Sequence, residues 1–143
     1  MEERELLRRV LEDPILFKLS TLAKQEGVPL YLVGGYPRDV WLGREYPFHR
    51  QTIIDYDFAL PPEFSSFISV IEKTLQFRFF KVGKEEAGTL TYRMVRKGIS
   101  IDLTLFQGES LEEDLKRRDF TINTIALSLR DGTCHAVKGA FED

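Results

Sequence analysis

The chain has 143 residues, of which 43% are hydrophobic and 30% charged, and its 20 basic and 23 acidic side chains leave a formal net charge of −3. This length suits one domain with a real core, and the composition excludes a disordered chain. The charge argues against a surface that coats nucleic acid, while a local basic groove stays open. A single cysteine, Cys134, excludes an internal disulfide. No apolar run approaches the ~20 residues that span a bilayer, so we expect a cytoplasmic protein with no membrane partner.

The first 26 residues carry apolar side chains at helical spacing, with a break at Asp13-Pro14. Aspartate as the N-cap and proline at the first helical position predict that a second helix begins there. Gly27 is placed to end it. We therefore expect an N-terminal helical segment, residues 1–27, in front of a core formed by residues 28–143.

The rest of the chain alternates strand-like and helix-like segments. Periodicity and turn residues predict, in chain order, a strand at 29–33, a helix at 36–42, an irregular loop at 44–51, a strand at 52–60, a helix at 64–75, a strand at 77–82, strands at 89–96 and 99–106, helices at 111–116 and 121–127, and a strand at 134–137. The two-residue interval Lys97-Gly98 predicts that the strands on either side of it form a hairpin.

Three aspartates are candidate metal ligands. Asp55 and Asp57 lie one residue apart in an apolar strand, so both side chains point to the same face. Like charges held this close need a cation, and carboxylate oxygens suit magnesium. Asp102 lies on the polar face of its own strand, and three such carboxylates could bind two ions. In the alternative interpretation, Asp55 ends a loop and Asp57 is merely exposed on an edge strand.

The pair Gly34-Gly35 lies between a predicted strand and a predicted helix. Two glycines there would let a phosphate approach the backbone amides, and Arg38, one turn into the helix, could pair with its oxygens. The sequence contains neither of the common glycine-rich nucleotide motifs, G-x-G-x-x-G and G-x-x-x-x-G-K-[S/T]. For the glycines by themselves, a turn that needs them only for tight packing is the simpler explanation.

Charged residues cluster again in the segment 112–123. It holds Arg117, Arg118 and Asp119, with Asn123 four positions after the aspartate. In a helix Asp119 and Asn123 would face the same way. The arginines suit a triphosphate and the asparagine a ribose hydroxyl, whereas a solvated helix face with an aspartate cap is the simpler alternative.

Several basic residues could line an RNA path beside aromatic neighbours, although lysine-bearing strand edges that prevent aggregation explain them equally well. These residues are Lys81, Lys84, Arg93, Arg96 and Lys97.

Three motifs occur together in a characteristic order: Leu32-Val33-Gly34-Gly35-Tyr36-Pro37-Arg38-Asp39, Asp55-Tyr56-Asp57, and Arg117-Arg118-Asp119-Phe120-Thr121-Ile122-Asn123. From about Tyr31 to its C-terminus the chain resembles the head domain of class II tRNA nucleotidyltransferases. These are the CCA-adding enzymes and bacterial poly(A) polymerases of the polymerase β superfamily. The resemblance implies an α/β (α+β) fold with a mixed, mostly antiparallel sheet of about five strands and packed helices.

The resemblance also implies roles for the motif residues. Asp55, Asp57 and Asp102 would be catalytic and bind two Mg²⁺ ions. Gly34, Gly35 and Arg38 would contact the triphosphate, and Arg117, Arg118, Asp119 and Asn123 would contact the nucleotide.

The chain departs from the usual family sequence at two places, an unusually long connection at 44–54 and Thr124 in place of a common alanine. The helical neck, body and tail domains that follow the head in this family are absent from the sequence, so base selection would lie elsewhere.

We therefore expect a template-independent enzyme that adds nucleoside monophosphates from ATP or CTP to an RNA 3′ end, that of a tRNA, with release of pyrophosphate. The alternative is a non-catalytic module that binds NTP or RNA, or a head that needs a separate neck and body partner. A third possibility keeps the fold and changes the acceptor to a small molecule. The motifs do not specify whether C, A, CCA or poly(A) is added.

Overall fold

The structure is a computed structural model, and it describes residues 2–43, 53–82, 90–105 and 125–136. Four α-helices, one 3₁₀ turn and seven strands lie within these ranges. The helices are α1 (Glu3–Val10), α2 (Pro14–Glu26), α3 (Gly35–Trp41) and α4 (Phe67–Leu75), and the 3₁₀ turn is Pro62–Phe64. The strands are β1 (Tyr31–Val33), β2 (Ile54–Leu60), β3 (Phe80–Val82), β4 (Leu90–Arg96), β5 (Ile99–Leu105), β6 (Ile125–Ser128) and β7 (Cys134–Ala136).

All seven strands form one sheet in the order β3-β4-β5-β2-β1-β6-β7. Only the central β2–β5 pair is parallel, so the expectation of a mixed, mostly antiparallel sheet is confirmed. The expected count of about five strands was too low. The segments predicted in chain order include six of the seven strands, and only β6 is absent among them, because a run of four residues carries little periodic signal.

One hydrophobic core joins the helices to the sheet. It includes Leu6 of α1, Leu16 of α2 and Ile71 of α4, and from the central strands Phe58 and Ile101. These β2 and β5 side chains alternate with polar ones, so one face of the central sheet is buried and the carboxylates lie on the other.

The helix caps follow the sequence closely. The Asp13 carboxylate accepts hydrogen bonds from the backbone N–H groups of Ile15 and Leu16 at 2.8 and 3.3 Å, and α2 begins at Pro14. Gly27 ends the same helix with a left-handed backbone, φ +67°. Both predicted helix ends are confirmed because each depends on local chemistry.

One predicted helix is wrong in the part that the structure describes. Residues 125–127, predicted as the end of a helix at 121–127, belong to strand β6, which pairs with both β1 and β7. All four β6 residues are buried. A continuous apolar run of this length does not distinguish a buried strand from a helix, and the pairing partner decided the outcome. The helix predicted at 111–116 and the loop at 44–51 lie outside the described residues.

Across the four described ranges, no helix combines the length and the apolar character that crossing a membrane requires.

Candidate functional site

Strand register brings three aspartates to one patch of the sheet. In the parallel β2–β5 pair Asp57 lies opposite Asp102, and Asp55 lies opposite Ser100. Neighbouring strands are about 4.8 Å apart, so the carboxylates belong to adjacent positions of one face. They line an open depression of about 490 Å³. Its lining comprises Ile53, Asp55, Tyr56, Asp57, Arg93, Val95, Ser100 and Asp102.

The glycine turn touches this patch directly. Val33, the last residue of β1, is the antiparallel partner of Asp57, so Gly34 lies beside that carboxylate. A Cβ atom built on Gly34 would be 3.0 Å from Oδ2 of Asp57, and the backbone has φ +80° and ψ −149°. The backbone conformation favours glycine strongly, and a Cβ atom would in addition press on the Asp57 carboxylate.

Arg38 folds back over the second glycine. A Cβ atom on Gly35 would be 3.5 Å from Nη2 of Arg38, and the same Nη2 lies 3.5 Å from the Asp39 carboxylate. The Nε atom of Arg38 is buried and has no hydrogen-bond partner among the described residues. An arginine with a buried N–H and no acceptor beside a glycine turn suits an anionic ligand.

A fourth charged side chain, Arg93 of β4, enters the depression. Its Nε and Nη2 atoms donate to the two carboxylate oxygens of Asp102 at 2.7 and 3.0 Å. This contact and, to a smaller extent, the charges of Asp57 and Asp55 raise the pKa of Arg93. Arg93 is therefore one cation that offsets negative charge in this cluster of aspartates, and its direct partner is Asp102.

Carboxylate oxygens are the type of ligand that magnesium prefers, but the three aspartates do not form a ready-made metal site. Among the described residues, no group of three or more His, Cys, Asp and Glu side chains is arranged to hold a metal ion. Asp55 and Asp57 remain as a pair, and magnesium commonly takes one or two carboxylates together with substrate phosphates. The structure thus fits an ion held by this pair with a nucleotide, and not a preformed three-carboxylate site.

A buried network supports the patch from the other side of the sheet. Tyr36 of α3 and Tyr56 of β2 both donate to Oδ2 of Asp13, at 2.9 and 2.6 Å, and Asp13 is only 2% exposed. The two rings stack with centroids 5.5 Å apart. Burial and the hydrogen bond to Asp13 raise the pKa of Tyr56 well above its usual range. Tyr36 follows the glycine pair and Tyr56 separates the two aspartates, so one carboxylate anchors both motifs.

The structure brings together the sequence-predicted residues Asp55, Asp57, Asp102 and Gly34, and places Arg38 against Gly35. The predicted residues Arg117, Arg118, Asp119 and Asn123 lie outside the described residues. The sequence predicted Asp13 as an N-cap but gave no sign of its hydrogen bonds with Tyr36 and Tyr56. It offered only an RNA path or a strand edge as the role of Arg93. The pairing of Arg93 with Asp102 can be read from the predicted hairpin. A two-residue turn at Lys97-Gly98 pairs Arg96 with Ile99, and the same register then pairs Arg93 with Asp102. The hydrogen bonds that Asp13 accepts from Tyr36 and Tyr56 have no such local signal.

Comparison with known families agrees with this fold. Residues 30–143 match the family model described as the Poly A polymerase head domain. The match covers both the glycine turn and the three aspartates. The chain belongs to this family.

Individual relatives are tRNA-processing enzymes. The chain is 35% identical over 132 residues to a CCA-adding enzyme of Bacillus pumilus, covering 81% of this chain and 28% of the relative. It is 33% identical over 120 residues to a CC-adding tRNA nucleotidyltransferase of Synechocystis, covering 84% and 26%. The Thermotoga maritima CCA-adding enzyme complexed with tRNA has the same fold, with a TM-score of 0.75 at 26% identity, covering 100% of this chain and 34% of that one. The chain thus spans about a quarter of the length of its curated relatives.

Proposed function

We propose that this chain is the catalytic head of a template-independent RNA nucleotidyltransferase that uses ATP or CTP and extends the 3′ end of a tRNA. The observation that carries the proposal is the contact between the glycine turn and the aspartate pair, at Gly34 and Asp57. This contact supports the proposal, because backbone amides of a glycine turn can bind phosphate and a pair of carboxylates can bind magnesium. Family membership and the tRNA-processing relatives support the same reaction.

In this reaction the 3′-hydroxyl oxygen of the RNA attacks the α-phosphorus of the NTP. A new phosphodiester bond forms, the bond between the α- and β-phosphates breaks, pyrophosphate leaves, and the hydroxyl proton is lost. Phosphoryl transfer of this kind depends mainly on positioning and on stabilising charge. The depression next to Gly34 would hold the α-phosphate, and Arg38 would pair with the distal phosphates.

Asp55 and Asp57 would hold magnesium, with Asp102 as the third ligand when it is available. Divalent ions bound there would lower the pKa of the attacking hydroxyl and stabilise the developing negative charge. Two ions remain the expectation for this family. Arg117, Arg118, Asp119 and Asn123 would contact the nucleotide, a role that rests on the motif alone. The division into segments 1–27 and 28–143 and the cytoplasmic location also remain predictions.

Mg²⁺-dependent incorporation of labelled ATP or CTP into a short tRNA-like RNA tests the proposal, with the segment that follows the head in longer relatives supplied in trans. We expect Asp55→Asn to reduce incorporation on the order of 100-fold or more while the protein stays folded, because the substitution removes charge without changing shape. Glu63→Gln is the matched control, since it neutralises an exposed carboxylate in the 3₁₀ turn. Wild-type incorporation by Asp55→Asn would contradict the catalytic assignment.

A non-catalytic nucleotide-binding module is the second candidate, and the pairing of Asp102 with Arg93 is the observation that favours it. Calorimetry with ATP and Mg²⁺, combined with an assay for pyrophosphate, separates the two functions. The module predicts saturable binding without pyrophosphate. The enzyme predicts binding and pyrophosphate release together, once RNA and the segment that follows the head in longer relatives are present.

A further inference from the structure

The contact between Arg93 and Asp102 occupies the third aspartate of the site. Both carboxylate oxygens accept a hydrogen bond from the same guanidinium, through Nε at 2.7 Å and Nη2 at 3.0 Å. A fork of this kind is the strongest and most directional contact that an arginine makes with a carboxylate. Lysine at this position could not reproduce it.

The hairpin builds this contact into the fold. Arg93 and Asp102 are direct partners in the antiparallel β4–β5 ladder, and the Arg93 side chain shares the depression with Asp55 and Asp57. The side chains of Arg93 and Asp102 are 39% and 21% exposed, so neither is locked in the core. The guanidinium can therefore leave the carboxylate without disrupting the core.

A divalent ion and Arg93 need the same atoms. A carboxylate has about four lone-pair positions, and the fork uses those that face the guanidinium, one on each oxygen. An ion placed on the remaining lone pairs would lie close to a positive charge, which Coulomb repulsion opposes. This competition agrees with the finding that no three acidic side chains of the described residues are grouped to hold a metal.

We propose that Arg93 is an internal counter-ion that competes with the divalent metal for Asp102, so that Asp102 becomes a metal ligand only when Arg93 is released. The proposal rests on the proposed function, because it takes the three aspartates as the metal site. It gives the site an order: Asp55 and Asp57 bind first, and Asp102 joins after the arginine has left. Arg93 is thus a positioning residue that sets metal affinity.

The direct test follows the Arg93 Nε–H signal by NMR in the ¹⁵N-labelled chain, with Arg93→Gln to assign the signal. We expect Mg²⁺ to move this signal from its ion-paired position to that of a free guanidinium. The metal-free Asp102→Asn protein supplies the reference for the free position. A signal that stays at the ion-paired position in the presence of saturating Mg²⁺ would overturn the proposal. The measured signal is that of the wild-type protein. If a variant fails to fold, triple-resonance spectra supply the assignment and the urea-unfolded wild type supplies the reference for a free guanidinium.

The second test measures Mn²⁺ affinity, without nucleotide, from the free Mn²⁺ signal in electron paramagnetic resonance. We expect Arg93→Gln to bind Mn²⁺ about 5- to 10-fold more tightly than the wild type, because it removes the competing charge. Lys97→Gln is the control: it removes one positive charge from the hairpin turn and should change the affinity by less than about twofold, since exposed charges at a distance are screened. Unchanged or weaker Mn²⁺ binding by Arg93→Gln would overturn the proposal.

The two proposals fail in different ways. Absence of Mn²⁺ and Mg²⁺ binding by the wild type, both alone and with ATP or CTP, would contradict the metal role of the aspartates, and this inference with it. Metal binding with an intact Arg93 fork would contradict the inference alone and leave the proposed function standing.

Discussion

Gly34 shows how one residue can link two motifs. Its backbone lies in a region that only glycine enters easily, and the space that a Cβ atom would need is taken by the Asp57 carboxylate. Gly35, by comparison, leaves 3.5 Å to the nearest atom, the Nη2 of Arg38. Gly34 is therefore the glycine on which the geometry of the aspartate pair depends.

We expect Gly34→Ala to lower the free energy of unfolding by about 1–3 kcal/mol through backbone strain. The same change should displace the Asp57 carboxylate, weaken Mn²⁺ binding and reduce nucleotide incorporation by about 100-fold, because small errors in position are costly in phosphoryl transfer. Urea unfolding, Mn²⁺ titration and the incorporation assay measure the three effects.

Gly27→Ala is the matched control. Gly27 also has a positive φ, +67°, but nothing lies within 4 Å of the position of its Cβ atom. The variant should lose about 1–2 kcal/mol of stability and keep its Mn²⁺ affinity. If the two alanine variants weakened Mn²⁺ binding equally, the effect would be one of general instability and not of the contact with Asp57.

At the scale of elements, Asp13 joins three of them. One carboxylate oxygen caps α2, and the other accepts hydroxyl hydrogen bonds from Tyr36 in α3 and Tyr56 in β2. A buried carboxylate is stable only when hydrogen bonds satisfy it, and here four donors do so. The start of an N-terminal helix thus determines how the glycine turn and the aspartate strand lie relative to each other.

We expect Asp13→Ala to cost about 3 kcal/mol or more in the free energy of unfolding, because it removes the cap and the acceptor that both tyrosines use. In a Tyr36→Phe/Tyr56→Phe background the same substitution should cost only about 1 kcal/mol, the contribution of the cap. Urea unfolding of the four proteins completes the cycle. Equal costs in the two backgrounds would show that Asp13 acts as a cap and nothing more.

Whether a helix or strand can be predicted from the sequence depends on how far along the chain the residues that stabilise it lie. The β4–β5 hairpin was predicted because its two-residue turn is local, and β2 because its apolar run is long. Strand β6 was mistaken for the end of a helix. Its four residues are buried between β1 and β7, and β1 lies more than 90 residues earlier in the chain. No local pattern reports a partner at that distance.

At the scale of the whole molecule, a buried tyrosine, Tyr56, and a partly buried cysteine, Cys134, affect stability at high pH. Burial, together with the charge of Glu3, raises the pKa of Cys134 from its ordinary value of 9.0 to about 11, and the pKa of Tyr56 is raised in the same direction. Below pH 9 both groups are protonated in the folded and the unfolded chain. As the pH rises further, the unfolded chain releases these protons first, so the free energy of unfolding falls.

We expect this loss for Cys134 between pH 9 and pH 11, the window bounded by its two pKa values. Urea unfolding of the wild type and of Cys134→Ala at several pH values measures it. The two stability curves should run parallel from pH 6 to pH 8 and converge as the pH approaches 11, because the variant lacks the titrating thiol. Parallel curves throughout the alkaline range would contradict the prediction.

The sequence alone determined the components of the candidate site. Alternation along a strand places Asp55 and Asp57 on one face, and the strand, glycine turn and helix around Gly34 follow from neighbouring residues. These are local properties, with periods of two to four residues. The combination of the three motifs also indicated the family, which the comparison confirmed.

Only the tertiary structure decided how these components meet. The parallel pairing of β2 with β5 sets Asp57 beside Asp102, and the fold brings Asp13 to two tyrosines that lie 23 and 43 residues further along the chain. The physical reason is that such contacts depend on which buried surfaces pack together. That choice belongs to the whole core and not to any short segment of the chain.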